Sequence, residues 1–283
     1  VSPRDTRPVD LHTHTNYSDG VPTPEELAAL AAKRCLRAIA LTDHDTVAGW
    51  PRFEAACAAE GVEFVPGVEL SCEWEGREVH IVGLYVEPDA RFRERIDYIR
   101  EKREHRMDEM LEKLRGLGFD ITLEDLGVRP GQSFARPHLG RALVTKKIVR
   151  SLDEAFARYI GDHGPAYVAK TRLPAEEAVA MVHRVRGVAI LAHPGVSRLM
   201  DHLDHFAGIG IDGVEADYPK HTPATREAIR DFCESRGLLQ SGGSDYHGNQ
   251  EGPVLGEPPV DYARLEAIRA RKEQLWRSAS SAG

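Results

Sequence analysis

Along residues 1–90, short apolar runs alternate with longer stretches of helical period. Pro8 to His12 is strand-like and leads into His12-x-His14, a spacing that turns two imidazoles to one face, because side chains along a strand alternate with period two. Thr23-Pro24-Glu25-Glu26 is a capping box with proline at the first helical position, which predicts a helix from there to about Cys35. Ala38-Ile39-Ala40-Leu41 reads as a buried strand. A helix from Val47 to Glu60 follows, then strands at Glu63–Val68 and Val79–Tyr85. Strands separated by helices predict a parallel sheet or barrel.

The rhythm breaks near Pro88. A long charged helix is predicted from Phe92 to Leu117, with shorter helical pieces at Pro137–Thr145 and Leu152–Ile160 and a turn at Gly161–Pro165. With so little strand pattern, residues 91–172 read as an inserted helical lobe. After Pro174 the alternation resumes, with strands at Val188–Ala192, Gly213–Glu215 and Leu238–Ser241 and helices ending near Arg186, Phe206, Arg236 and Trp276. The expected organisation is a metal-binding barrel from residues 1–90 and 173–283, with 91–172 covering its active site.

At 283 residues the chain suits one large α/β domain with an insertion. It has no apolar run long enough to span a bilayer, and Val1-Ser2-Pro3-Arg4-Asp5 has no signal-like apolar stretch, so a cytoplasmic protein with no membrane role is expected. Cys35, Cys57, Cys72 and Cys233 show no C-x-x-C spacing and read as small buried hydrophobes. The net charge of −8 argues against an anionic ligand until its distribution is considered. Residues 91–172 hold 18 Lys and Arg against 13 Asp and Glu, a net of +5, whereas the remainder carries −13. A basic segment beside an acidic body suits an anionic substrate; a solvated helix face is the alternative.

Candidate chemistry clusters at the strand ends, where active sites of α/β barrels gather. His12, His14, His44, Glu69, His80, His193, Asp245 and His247 lie at or just beyond apolar runs, and Asp19 lies in the first loop. Without a cation, carboxylates packed there would repel and the imidazoles would lack partners, so a metal cluster is the economical account. There is no P-loop, no G-x-S-x-G and no Rossmann fingerprint. Trp50, Trp74 and Trp276 are too scattered to form a base-stacking platform.

His12-x-His14, Asp19-Gly20, Thr42-Asp43-His44, Gly67-Val68-Glu69, Val79-His80-Ile81-Val82-Gly83, Ala192-His193-Pro194-Gly195 and Gly243-Ser244-Asp245-x-His247, in that order, resemble the polymerase and histidinol phosphatase (PHP) family. The resemblance implies a distorted (β/α)7 barrel and two or three divalent ions. One ion would be held by His12, His14, Glu69 and Asp245, a second by Glu69, His80 and His193, and a third by Asp19, His44 and His247. Arg136-Pro137-His138-Leu139-Gly140-Arg141 is similar to a segment of the subgroup that acts as 3′,5′-nucleoside bisphosphate phosphatases or 5′–3′ exoribonucleases, and Tyr159 and Gly164-x-x-Tyr167 resemble the end of its insertion. Asp217-Tyr218-Pro219-Lys220-His221 departs from the small or polar residues expected there.

Nitrogen and oxygen donors without thiolate suit Mn²⁺, Zn²⁺ or Fe²⁺. A water bridging two such ions can fall to a pKa near ~7 and attack phosphorus as hydroxide. Arg136 and Arg103 are candidates to complete the clamp on the phosphoryl oxygens, with a solvated helix face the alternative for Arg103. His138 and His221 are candidates to bind phosphate or protonate the leaving alkoxide, against a structural role for each. Asp43 or Asp45 would orient a ligand imidazole. The expected activity is hydrolysis of a nucleotide phosphate or of the 5′ end of a short RNA, with no obligate protein partner. A phosphatase for histidinol phosphate, a sugar phosphate or a cyclic phosphate is the nearest rival, followed by a metal-dependent amidohydrolase. A regulatory module with a vestigial site is the rival from another class.

Overall fold

The computed structural model describes residues 6–128, 132–169, 173–249 and 252–281. β1 (Val9–Asp10) is followed by α1 (Pro24–Lys33), whose capping box forms as predicted: Glu26 N–H donates to the Thr23 hydroxyl and Thr23 N–H to the Glu26 carboxylate. β2 (Ala38–Leu41) and α2 (Trp50–Glu60) follow, then β3 (Glu63–Trp74) and β4 (Arg77–Leu84). These last two form an antiparallel hairpin and not the parallel pair expected from the strand–helix rhythm. The two-residue turn between them decides this. Glu75 and Gly76 have φ of +48° and +74°, the left-handed pair whose twist matches that of a hairpin.

Between residues 90 and 160 the regular elements among the described residues are all helical. α3 (Ala90–Gly116), α4 (Arg136–Thr145) and α5 (Leu152–Ala155), the last continued by a π-helical turn at Phe156–Ile160, correspond to the predicted helices. Met107, Met110, Leu111 and Leu114 of α3 pack with Leu139, Leu143, Ala155 and Ile160 in a cluster of their own, while Phe92 and Ile96 of the same helix join the core against the sheet. A single helix therefore links the two cores.

β5 (Leu173–Pro174), α6 (Ala175–Arg184), β6 (Val188–Leu191), α7 (Leu203–Gly208), β7 (Gly213–Asp217), α8 (Pro223–Arg236), β8 (Leu239–Gly242) and α9 (Tyr262–Ser281) complete the chain. The sheet order is β1-β2-β3-β4-β6-β7-β8, with β5 paired to β3. Pairing is parallel except where β4 meets β3 and β6. Side-chain alternation sorts the layers: Ile39 and Leu41 face α1 and α2, while Ala38 and Ala40 face a cluster with Val65, Leu84, Val188 and Ile190 that Leu265 and Ile268 of α9 cover. At the two edges, Leu11 N–H donates to Gly242 O at 3.3 Å and Asp245 N–H to His12 O at 2.8 Å. No helix among the described residues is long and apolar enough to cross a membrane. Cys57, Cys72 and Cys233 are buried as expected, but Cys35, just past α1 at a φ of +54°, is exposed.

Candidate metal centre

Glu69 lies in the middle of β3, 1% exposed, and five imidazoles converge on it. Its Oε2 is 3.1 Å from His12 Nε2, 3.2 Å from His14 Nε2 and 3.2 Å from His44 Nδ1. Oε1 is 2.8 Å from His80 Nδ1 and 3.2 Å from His193 Nε2. Asp245 Oδ1 sits 3.2 Å from His14 Nε2 and 3.6 Å from His12 Nε2. Asp19 Oδ1 is 3.2 Å from His247 Nε2, and its Oδ2 is 4.0 Å from His44 Nε2. All nine residues singled out from the strand ends are thus brought together.

Local geometry explains the convergence. His44 lies just beyond β2 and bridges to Glu69 in parallel, and His193 and Asp245 leave β6 and β8 at φ of +30° and +53°, turning sharply toward the centre. Gly243 permits the close approach of the β8 end, since a Cβ there would fall 2.5 Å from the Cβ of His12. His80 reaches the same place because β4 is antiparallel: it stands near the beginning of its strand, opposite Ser71.

The donor set fits a metal. Buried His12 Nε2, His14 Nε2, His44 Nδ1, His80 Nδ1, Glu69 Oε2 and Asp19 Oδ1 have no hydrogen-bond partner among the described residues, although polar atoms of the cluster lie just over 3 Å apart. Leaving so many polar atoms unpaired in a core is costly unless a cation satisfies them. Three groups have their donor atoms within 4.8 Å of one another: His12, His14, Glu69 and Asp245; His14, Asp19, His44 and His247; and His44, Glu69 and His80. The first is the set the resemblance implied. His14 joins the predicted Asp19, His44 and His247, while His44 stands with Glu69 and His80 where His193 was expected. His193 approaches Glu69 Oε1 from beside His80.

The charges of the cluster lean on one another. Burial pushes Glu69 and Asp19 up, but the surrounding imidazoles hold both well below the usual carboxylate range. Burial pushes His80 and His247 down, and their carboxylate neighbours overcome it, lifting His80 to about 9 and His247 to about 10. Burial wins at His44, which falls to about 3.

A model of the PHP domain matches residues 10–172. The chain belongs to the PHP domain family. The match ends before His193, Asp245 and His247, but relatives extend the likeness over nearly the whole sequence. The chain is 33% identical over 282 residues to a 3′,5′-nucleoside bisphosphate phosphatase of Chromobacterium violaceum, covering 95% of each chain. It is 32% identical over 251 residues to a 5′-3′ exoribonuclease of Haemophilus influenzae, covering 86% of this chain and 90% of that one. The solved structure of a candidate metal-dependent phosphoesterase from Bifidobacterium adolescentis superimposes with a TM-score of 0.87 at 30% identity, covering 94% of this chain and 96% of that one.

Around this PHP centre several expectations change. Asp43 and Asp45 have no hydrogen bond to an imidazole among the described residues: Asp43 accepts from Thr15 N–H and the Thr15 and Ser18 hydroxyls, and Asp45 accepts from Ser71 N–H and Arg103. Glu215 takes the orienting role, accepting from His12 Nδ1 at 3.0 Å and from His193 N–H at 2.8 Å. Arg103 is not on a solvated face; its guanidinium also donates to the Ser71 hydroxyl at 2.6 Å and to Phe134 O at 3.2 Å. Arg103 and Arg136 line a cavity of about 180 Å³ together with Asp19, His44, Ser71, Glu78 and His80. Arg136 donates to Asp162 at 2.6 Å on the rim.

The other two candidate histidines, His138 and His221, are held by backbone. His138 Nδ1 accepts Ala135 N–H at 3.1 Å at the start of α4, and burial lowers the ring to about 4, which points away from proton donation near neutral pH. His221 accepts Gly195 N–H at Nε2 and donates from Nδ1 to Ala216 O, each at 3.1 Å, so both ring nitrogens are committed to holding the loop after His193. Tyr218, part of the segment that departs from the family pattern, donates its phenol to Asp245 Oδ2 at 3.0 Å.

Proposed function

We infer that this chain is a metal-dependent phosphoesterase that removes phosphate from a nucleotide of the 3′,5′-bisphosphate type or from the 5′ end of a short RNA. The observation that carries this reading is a nine-residue nitrogen and oxygen cluster, buried to half-buried, opening into a cavity lined by two arginines of the insertion. The likeness to a bisphosphate phosphatase and a 5′-3′ exoribonuclease supports the substrate class.

His12, His14, Glu69 and Asp245 would hold one ion, Glu69, His80 and His193 a second, and Asp19, His44 and His247 a third; His14 and His44 stand near two of these groups, and each neutral imidazole, with one lone pair, would serve one ion. Mn²⁺, Zn²⁺ or Fe²⁺ at these donors would supply Lewis acidity toward phosphoryl oxygens and lower the pKa of bound water. The chain's own contribution is positioning. Glu215 accepts from His12 Nδ1, so the proton stays on that side and Nε2 presents a lone pair to the centre. Arg103 is fixed by Asp45, Ser71 and Phe134 and so keeps its charge at the cavity wall without reordering when substrate arrives. Arg136 exchanges the exposed Asp162 for a phosphate oxygen at little desolvation cost.

Residues 91–172 form a helical lobe over the site, and residues 1–90 and 173–283 form the metal-binding barrel. The Leu11–Gly242 and Asp245–His12 hydrogen bonds support its closure. The test is an assay of phosphate release with added Mn²⁺ from adenosine 3′,5′-bisphosphate, 5′-phosphorylated oligoribonucleotides, histidinol phosphate and 4-nitrophenyl phosphate. Preference for either of the first two is expected. Preference for histidinol phosphate removes the nucleotide assignment, and release from none of them removes the phosphoesterase reading.

A further inference from the structure

We propose that Tyr218 fixes Asp245 as a one-oxygen metal ligand and so sets the coordination of the ion held by His12, His14, Glu69 and Asp245. The inference rests on the metal-dependent reading above and adds a positioning residue to it. The two oxygens of Asp245 have different surroundings. Oδ1 faces His14 Nε2 at 3.2 Å, His12 Nε2 at 3.6 Å and His247 Nδ1 at 3.5 Å. Oδ2 accepts the phenolic O–H of Tyr218 at 3.0 Å.

For Asp245 to bind an ion through both oxygens, the carboxylate must turn Oδ2 toward the ion, which draws it away from the position where it accepts from the phenol. Tyr218 is only 3% exposed, so water does not readily replace that acceptor, and an orphaned buried hydroxyl is expensive. Nor is the phenol free to follow. Its ring packs against His193 and His221 with centroids 5.3 Å and 5.1 Å away, and its backbone carbonyl is held by Arg226 at 2.9 Å. Three residues earlier, Glu215 holds His12 Nδ1 at 3.0 Å. The end of β7 thus offers no donor atom to the metal-binding groups, yet it orients two ligands of one ion, His12 through Glu215 and Asp245 through Tyr218.

The test uses metal-free full-length protein titrated with Co²⁺, whose visible d–d absorption weakens as coordination number rises, and with Mn²⁺ for affinity. Tyr218→Phe keeps the ring and removes the donor. Its Co²⁺ absorptivity is expected to fall as Asp245 contributes its second oxygen, and its Mn²⁺ affinity to drop about 10-fold, the usual scale for losing a group that orients a ligand. Asp245→Asn cannot supply a second oxygen, so Tyr218→Phe is expected to change nothing further in that background. Identical spectra and affinity for wild type and Tyr218→Phe overturn the proposal, as does an unchanged Tyr218→Phe effect in Asp245→Asn protein, or a wild-type chain that takes up no Co²⁺. Normal Co²⁺ behaviour without phosphate release from any ester would remove the phosphoesterase reading and leave this proposal standing.

Discussion

Glu69 is the residue on which the centre depends, because its two oxygens are shared among five imidazoles. Glu69→Gln keeps the shape and removes the charge, so metal affinity is expected to fall at least ~100-fold, more than the loss of an orienting group costs. Metal analysis after dialysis checks this, and an unchanged ion count would show that Glu69 is not a ligand. The same contacts predict a pH effect on the metal-free fold. His80 at about 9 and His247 at about 10 both lie above the ordinary 6.5, so the folded state binds their protons more tightly than the unfolded state does. This stabilisation is complete below about pH 6.5 and is lost as pH rises through 9 to 10. Melting temperature in EDTA should therefore decline across that range, whereas metal affinity should increase, since ions no longer compete with protons. A flat profile in EDTA would contradict the charge pattern. The clustered residues were legible because a histidine or carboxylate at the end of an apolar run is costly without a partner. Glu215 was legible as one more acidic strand ending, but its orienting role was not, because its partner His12 lies 203 residues away and no histidine adjoins it.

Among the elements, the β3–β4 hairpin does most to complete the centre. The strand pattern showed two apolar runs but not their relative direction, and the Glu75-Gly76 turn between them was the overlooked signal. It reverses the chain within two residues, which sets His80 opposite Ser71, two residues along β3 from Glu69, and brings its ring to the site. Gly76 at φ +74° would be strained by any side chain, and more so by a branched one. Gly76→Val is expected to cost about 1–2 kcal/mol and to lower the melting temperature by roughly 2–6 °C. Glu75→Asn, which suits left-handed backbone, should leave stability equal or slightly higher. Thermal melts of the two variants check the pair; equal melting temperatures for wild type and Gly76→Val would mean that this turn does not constrain the hairpin. Helices were easier to read. Thr23 and Glu26 announce α1 through contacts three residues apart, whereas strand direction depends on which distant strand the chain meets next.

At the scale of the whole molecule, the segregation of charge is legible in the sequence, but where the basic segment lies is not. The structure places part of it against the centre: Arg141 reaches the backbone of Asp19 at 3.2 Å, Ser133 N–H donates to Tyr17 O at 2.8 Å, and Arg103 crosses to Asp45. Part of this basic segment therefore lines a cavity beside the clustered carboxylates and imidazoles, while the residues outside the segment carry −13. An approaching phosphate dianion is repelled by the body and drawn to this one face. Salt acts on both effects, but unequally. At ~0.15 M the screening length is about 8 Å, so the distant body charges are screened first and the cavity arginines last. Rising salt should therefore lower kcat/KM for adenosine 3′,5′-bisphosphate only gradually, with a steep loss deferred to several tenths molar. Arg136→Ala is expected to lower kcat/KM about 10- to 100-fold, to leave metal content unchanged and to flatten the high-salt decline, because the charge responsible for it is gone. Steady-state kinetics from low salt to ~0.5 M with metal analysis on the same samples check this. Lost metal in Arg136→Ala would place this residue in the metal centre, and an unchanged salt profile would assign the attraction to the ions alone.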